Sequence, residues 1–278
     1  MINDRRIIKQ NLEKLYNNYN FSERLNQDPI EFPHKFSKPE DIETVGFIAS
    51  SFAYGRIDLF KTVIERILKI MGRNPYDFLI NLNKHRRKRL FSGISYRFSS
   101  SEDIIAMLCV LHIALKEYGR LENLFKLNFT ETDENIGNAL TGFVNTFLRI
   151  NSQTLKKQSK GFHHFFPSPK KGSACKRLNL FLRWMVRDKD IDIGIWKWIP
   201  KSKLIIPLDT HIARISRCLG LTKRKSADWI MAVEITESLK SFDSEDPLKY
   251  DFALCHQGVA KVCSELRCKK CSLFTESL

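Results

Sequence analysis

The sequence predicts an all-α protein built as two helical lobes. Three observations predict it. Apolar residues recur at helical spacing along nearly the whole chain, and no run alternates apolar and polar residues between hairpin turn signals. Hydrophobic residues make up 43% of the 278, enough to bury a sizeable core, while only 12 Gly and 9 Pro exclude a collagen-like or disordered chain.

The elements follow in order. Ser37-Lys38-Pro39-Glu40 reads as a capping box with proline in the first turn, and Ile42, Val45, Ile48, Ala49 and Phe52 carry that helix to about Ala53. Asp58 is expected to cap a second helix with the stripe Leu59, Val63, Ile64, Ile67, Leu68 and Met71, stopped by Gly72. Asn74-Pro75 starts a short third helix. The basic run His85 to Arg89 reads as a solvated connection, useful beside a phosphate backbone. Ser100 or Ser101 opens a helix through Ile104, Ile105, Leu108, Leu111 and Leu115 that ends near Gly119, and Ile136 to Ile150 forms another. Residues 151–173, rich in Lys, Ser and Pro, read as a linker.

The charge balance narrows the function. Lys and Arg number 46 against 31 Asp and Glu, a net charge of +15 that points to a polyanionic partner, nucleic acid first, with a basic surface kept for solubility as the alternative. The longest apolar stretch, Ile104 to Leu115, falls short of the roughly 20 residues that cross a bilayer, so no membrane partner is expected. MINDRRIIKQ is not followed by an apolar segment and cleavage site, which predicts a cytoplasmic protein. Seven cysteines without an export signal read as reduced thiols or metal ligands.

After the linker, Ser173 to Arg187 reads as a helix with the buried stripe Ala174, Leu178, Phe181, Leu182 and Met185, turning Lys176, Asn179 and Arg183 to another face. Lys176 falls in the first turn, where unpaired amides and the helix dipole disfavour a second positive charge. A lysine that acts as a nucleophile must be neutral, which a poorly solvated cleft would promote further. Asp209 is a natural N-cap before the stripe Ile212, Ile215 and Leu219, with Gly220 as the stop. On periodicity alone, capping is its whole role. Thr222 or Ser226 is expected to cap the following helix.

Gly172-Ser173-Ala174-Cys175-Lys176-Arg177-Leu178-Asn179, followed by Pro207-Leu208-Asp209-Thr210-His211-Ile212-Ala213-Arg214, resembles the helix-hairpin-helix-GPD superfamily of base-excision DNA glycosylases, the endonuclease III-like enzymes. The separation of Lys176 from Asp209 is closer to the archaeal 8-oxoguanine branch. The resemblance covers residues 172–220 well and 40–271 loosely. It implies a DNA repair glycosylase and AP lyase, with Lys176 as the Schiff-base lysine and Asp209 as the catalytic aspartate. Of the family's paired hairpin glycines only Gly172 is present, so Lys170 and Lys171 would substitute in the phosphate seat. His211 and Arg214 would contact DNA, with Arg217 and Lys223 to Lys225 extending that surface, although a structural histidine at a helix start accounts equally for His211. Tyr54 or Arg56, in Ala53-Tyr54-Gly55-Arg56, would fill the gap left by an extruded nucleotide; a plain helix stop is the other reading.

The implied partner is double-stranded DNA carrying a damaged base, an oxidised purine such as 8-oxoguanine, or an abasic site, met by a monomer. Two alternatives stand beside it: a non-catalytic nucleic-acid binding protein, and a monofunctional glycosylase. The expected lobes are 42–200, holding the hairpin-like segment and Lys176, and 1–41 with 201–278, holding Asp209 and a cysteine tail. A cleft between them would join the pair. Several members of the resembled family carry a four-iron four-sulfur cluster on Cys-x6-Cys-x2-Cys-x5-Cys. This chain has Cys263, Cys268 and Cys271 at Cys-x4-Cys-x2-Cys, and Ser277 where the last ligand would fall. The expectation is no cofactor, with zinc or an iron–sulfur cluster on Cys255, Cys263, Cys268 and Cys271 as the alternative.

Overall fold

A computed structural model describes residues 5–157 and 159–259. The protein is all-α: among the described residues there is no strand, and two isolated bridges, Tyr96–Ser99 and Ser173–Asp228, are the extended pairings. The chain forms two compact units. A terminal unit combines Met1–Arg24 with Gly172–Leu278, and an inserted unit spans Leu25–Lys171. These boundaries correct the expected lobes. Lys176 and Asp209 belong to the same unit, because the division falls between Lys171 and Gly172 and not after residue 200.

The chain enters through α1 (Arg5–Asn17) and α2 (Phe21–Arg24). The inserted unit holds α3 (Pro39–Ser51), α4 (Ile57–Met71), α5 (Pro75–Ile80), α6 (Lys84–Phe91), α7 (Ser101–Tyr118), α8 (Leu121–Lys126), α9 (Gly137–Thr154) and α10 (Lys160–His164). The terminal unit resumes with α11 (Lys176–Val186), α12 (Thr210–Cys218), α13 (Trp229–Lys240) and α14 (Asp251–Val259).

In the inserted unit α7 is the hub, packing on α5, α6, α8 and α9. Ser100 and Asp103 close a capping box at its start, and Ile104, Met107, Leu108, Leu111 and Leu115 are buried. Helix α3 buries acidic residues because they cap its neighbours. Asp41 accepts from the Tyr76 amide at 2.9 Å at the head of α5, and Glu43 accepts from the Leu121 amide at 3.0 Å at the head of α8. Arg120 Nε donates to Glu43 at 3.0 Å, so that charge is paired. Phe47, Phe143, Phe147 and Phe166 fill the space around α9.

Several local expectations fail where a tertiary contact outweighs the local signal. Lys38, without a side-chain hydrogen bond, is the N-cap of α3, so the Ser37 box does not form. Arg56 occupies the N-cap of α4 while Asp58 pairs with it, and Phe60 is buried where Leu59 is half exposed. The basic run is helical, within α6. The expected linker is core: it holds the end of α9, all of α10, and buried Phe162, Phe165 and Phe166.

The terminal unit is organised around α11. Arg183 on it and Arg187 at its C-cap, four residues apart, are buried against carboxylates from three segments. Arg183 pairs with Asp192, at 3.2 Å, and with Asp251; Arg187 pairs with Asp192, with Asp190 at 3.2 Å and with Asp246 at 2.8 Å. Asn179 is buried too, so the face that Lys176, Asn179 and Arg183 were expected to share, apart from the apolar stripe, is itself mostly buried. Only Lys176 keeps partial exposure. Glu13 ties α1 to the start of α14, accepting from Tyr250 and pairing with Lys249 at 2.8 Å.

Removing one side of a buried charge cluster leaves the other unpaired, so Arg187→Met is expected to lower the unfolding free energy by about 3–5 kcal/mol. Arg149→Ala, at the exposed pair with Glu117, should change it by less than about 1 kcal/mol. Urea denaturation followed by circular dichroism measures both.

Candidate active site

The site grows from a helix end. The extended segment Leu204 to Leu208 is almost wholly apolar and buried, and the Ile206 amide donates to Thr236 Oγ1 of α13 at 3.0 Å. That anchorage delivers Asp209 to the head of α12. Its Oδ1 accepts from the His211 and Ile212 amides, each at 2.9 Å, satisfying two of the amides a helix start leaves open. With Oδ1 committed, the carboxylate cannot rotate freely. Its Oδ2 accepts from the Cys255 thiol at 3.6 Å and stands 3.8 Å from Lys176 Nζ.

Lys176 is the first residue of α11. The turn before it uses positive φ twice, at Gly172 (77°) and at Cys175 (50°), the second a cost for a residue with a Cβ. The turn is held from outside: Ser173 bridges to Asp228, and the Trp229 amide donates to the Gly172 carbonyl at 3.1 Å. Cys175, next to the lysine, offers no rival nucleophile. Burial pushes its thiol up to about 12, outweighing the hydrogen bond with Ser173 and the charge of Arg177 that pull it down. Lys176 itself is 32% exposed and Asp209 16%, and 3.8 Å is too long for a hydrogen bond between them. The two groups are close without a hydrogen bond between them.

Behind it lies a carboxyl that sequence reading did not single out. Asp251, one turn before Cys255 on α14, is fully buried; burial pushes it up to about 6, Arg183 pulls it down, and Asp209 adds to the rise. Nothing in the local sequence distinguishes Asp251 from an ordinary helix-start aspartate. Its environment comes from Arg183, 68 residues away.

The other expected site residues divide between the units. His211 and Arg214 lie half-buried on α12; His211 Nδ1 is buried without a hydrogen-bond partner among the described residues. Arg217 donates to the carbonyls of Arg224 (2.9 Å) and Lys225 (2.7 Å), and Arg224 pairs with Asp228, so both arginines shape the loop and Lys223 and Lys225 remain exposed. Asp228, rather than Thr222 or Ser226, caps α13. Lys170 and Lys171 are exposed at the end of the inserted unit's sequence, and Tyr54 and Arg56 belong to the same unit. Tyr54 is wedged among Tyr96, Phe98 and His164, and exposed Arg56 pairs with Asp58 at 2.7 Å. Cys263, Cys268 and Cys271 lie outside the described residues, and Cys255 is engaged with Asp209. Among the described residues no group of three or more His, Cys, Asp or Glu is placed to hold a metal ion. No helix among them is long and apolar enough to cross a membrane.

A family model described as "Protein of unknown function (DUF2400)" matches residues 28–260. The chain belongs to the DUF2400 family. No curated protein and no solved structure matches it. The DUF2400 match takes in Lys176, Asp209, Asp251 and Cys255 and stops short of Cys263, so it contains the paired side chains without the cysteine tail.

Two outcomes follow. Asp209→Ala removes the cap and should cost about 1–2 kcal/mol of stability, whereas Asp209→Asn, still an acceptor, keeps most of it. The folded Asp251 carboxyl holds its proton more tightly than the unfolded chain does. Its contribution to folding is therefore complete below the unfolded value near 3.8 and is lost as pH rises through about 6. The stability of wild type relative to Asp251→Asn should accordingly fall by up to ~3 kcal/mol between pH 4 and 7. Urea titrations at both pH values measure it, and a relative stability that rises with pH contradicts the assignment.

Proposed function

We propose that this DUF2400 protein is a DNA glycosylase with abasic-site lyase activity, acting through Lys176 and Asp209. The observation that carries the reading is the 3.8 Å approach of Lys176 Nζ to an Asp209 oxygen whose partner oxygen is fixed by the α12 cap. An amine and a carboxylate in this relation suit the chemistry that the resemblance to base-excision glycosylases implies.

The steps use only these two groups, DNA and water. Asp209 takes a proton from the ammonium, and the neutral amine bonds to the anomeric carbon. The bond from that carbon to the base breaks, its electron pair leaves with the base, and the base takes up a proton. Opening of the sugar ring, with protonation of the ring oxygen, leaves an iminium linking Lys176 to the sugar. Loss of a proton from the adjacent carbon then expels the 3′ phosphate and nicks the strand. Water finally adds to the iminium and restores the lysine.

Base removal requires a nucleotide out of the stack, because the anomeric carbon is hidden within a duplex. The net charge of +15 supports attraction to the backbone. An oxidised purine such as 8-oxoguanine is the proposed lesion, on the Lys176-to-Asp209 spacing alone. A second reading, a binding protein without catalysis, is favoured by one observation: Asp209 already has a complete structural role as a cap.

Borohydride reduction on a duplex with one abasic site separates the two. Wild type should form a covalent adduct, Lys176→Gln none, and Asp209→Asn should form it about 100-fold or more slowly while remaining folded. No adduct with wild type, or an undiminished adduct with Lys176→Gln, overturns the lyase assignment. Base release that survives Lys176→Gln but not Asp209→Asn marks a monofunctional glycosylase instead.

A further inference from the structure

The inserted unit presents an aromatic ring to solvent on a scaffold too rigid for a casual surface residue. Tyr96 and Ser99 exchange both backbone hydrogen bonds, each at 2.9 Å, around a two-residue tip of Arg97 and Phe98. Such tips favour Asn-Gly or Gly because they need positive φ; here Arg97 takes it, at 48°, at a cost of about 1–2 kcal/mol. The result places Phe98 outward, 63% exposed.

The tip is braced from behind. Tyr54 and Tyr96 donate hydroxyl hydrogen bonds to each other's backbone carbonyls. Gly55, at φ 82°, lies so close that a Cβ there would stand 2.7 Å from Tyr96 Oη and 3.0 Å from Arg97 Nη1. Tyr54 lies parallel to Phe98 with centroids 6.3 Å apart, the edge of His164 meets Phe98 at 5.6 Å, and the Arg97 guanidinium stands 5.3 Å from the Phe98 centroid. A ring already in contact with Tyr54 and His164, beside an exposed guanidinium, has less ordering cost to meet when a planar partner arrives.

We infer that Phe98 and Arg97 form a stacking site for an unpaired nucleobase, the ring taking the base and the guanidinium the adjoining phosphate. The occupant follows from chemistry. A flat aromatic face is sequence-tolerant toward bases, arginine adds cation–π and phosphate contacts, and basic residues outnumber acidic ones in the inserted unit as in the whole chain. The assignment moves the base-contacting role from Tyr54, whose ring is enclosed by three others, to Phe98. It rests on the nucleic-acid part of the proposed function and is independent of the lysine chemistry.

The test is equilibrium binding of the full chain to two labelled 12-nucleotide single strands, one with normal bases and one made of tetrahydrofuran abasic units, at several salt concentrations. Phe98→Ala should weaken binding to the base-bearing strand about 5- to 150-fold with an unchanged salt slope, and leave the base-free strand unaffected. Phe98→Trp should restore affinity, and Arg97→Ala should lower the salt slope by about one contact. Equal affinities of wild type and Phe98→Ala for the base-bearing strand overturn the proposal. So does an equal loss on both strands, or a dimer in sedimentation that Phe98→Ala dissolves. Borohydride trapping is read separately: an adduct with a neutral Phe98→Ala defeats this inference alone, and a base-dependent Phe98 effect without an adduct defeats the lyase reading alone.

Discussion

Asp209 has to satisfy the amides at the head of α12 before it can do anything else, and the site depends on that obligation. A helix start without acceptors is costly, so Oδ1 is held by two backbone donors. The other oxygen is left in one direction, toward Lys176 and Cys255. The two accounts of this aspartate, structural cap and reactive carboxylate, are therefore compatible. Capping uses one oxygen and orients the second.

What fixes the lysine is a different kind of force. Helix α11 begins without a side-chain cap, after a left-handed cysteine, and gains little from its own first turn. Its position comes from the buried arginines further along. Arg183 and Arg187 reach carboxylates on the segment after α11, on Asp246 and on α14, and each is worth keeping only with its partners in place. Because α14 also carries Cys255 and packs on α12, the same cluster that secures α11 sets the distance between Lys176 and Asp209. The basic composition is likewise divided by use. Arg217 and Arg224 are consumed in building the loop before α13, so net charge overstates the cations available to a phosphate.

Legibility followed the range of the interaction. Asp209 as a cap, Gly72 and Gly119 as stops and Pro39 at a first turn depend on neighbours within a turn or two, and their signals lie in the local sequence. Ser37 failed as a cap and Leu59 failed as core, since packing of the whole helix, and not its first turn, selected the buried face. The stretch 151–173 misled for a related reason: Lys156, Lys160, Lys170 and Lys171 are exposed and Ser159 caps α10, while buried Phe162, Phe165 and Phe166 decide where it packs.

The sequence by itself determined the helical class and the net charge of +15, and it singled out Lys176 and Asp209 as the residues to watch, because periodicity, charge and a short motif are all written in consecutive positions. Only the tertiary structure decided that these two share one unit, that Asp251 and Cys255 stand with them, and that Phe98 rather than Tyr54 faces outward. Those outcomes are set by contacts between segments far apart in the chain, such as Arg183 with Asp251 and Tyr54 with Tyr96, whose strength depends on burial that no local pattern encodes.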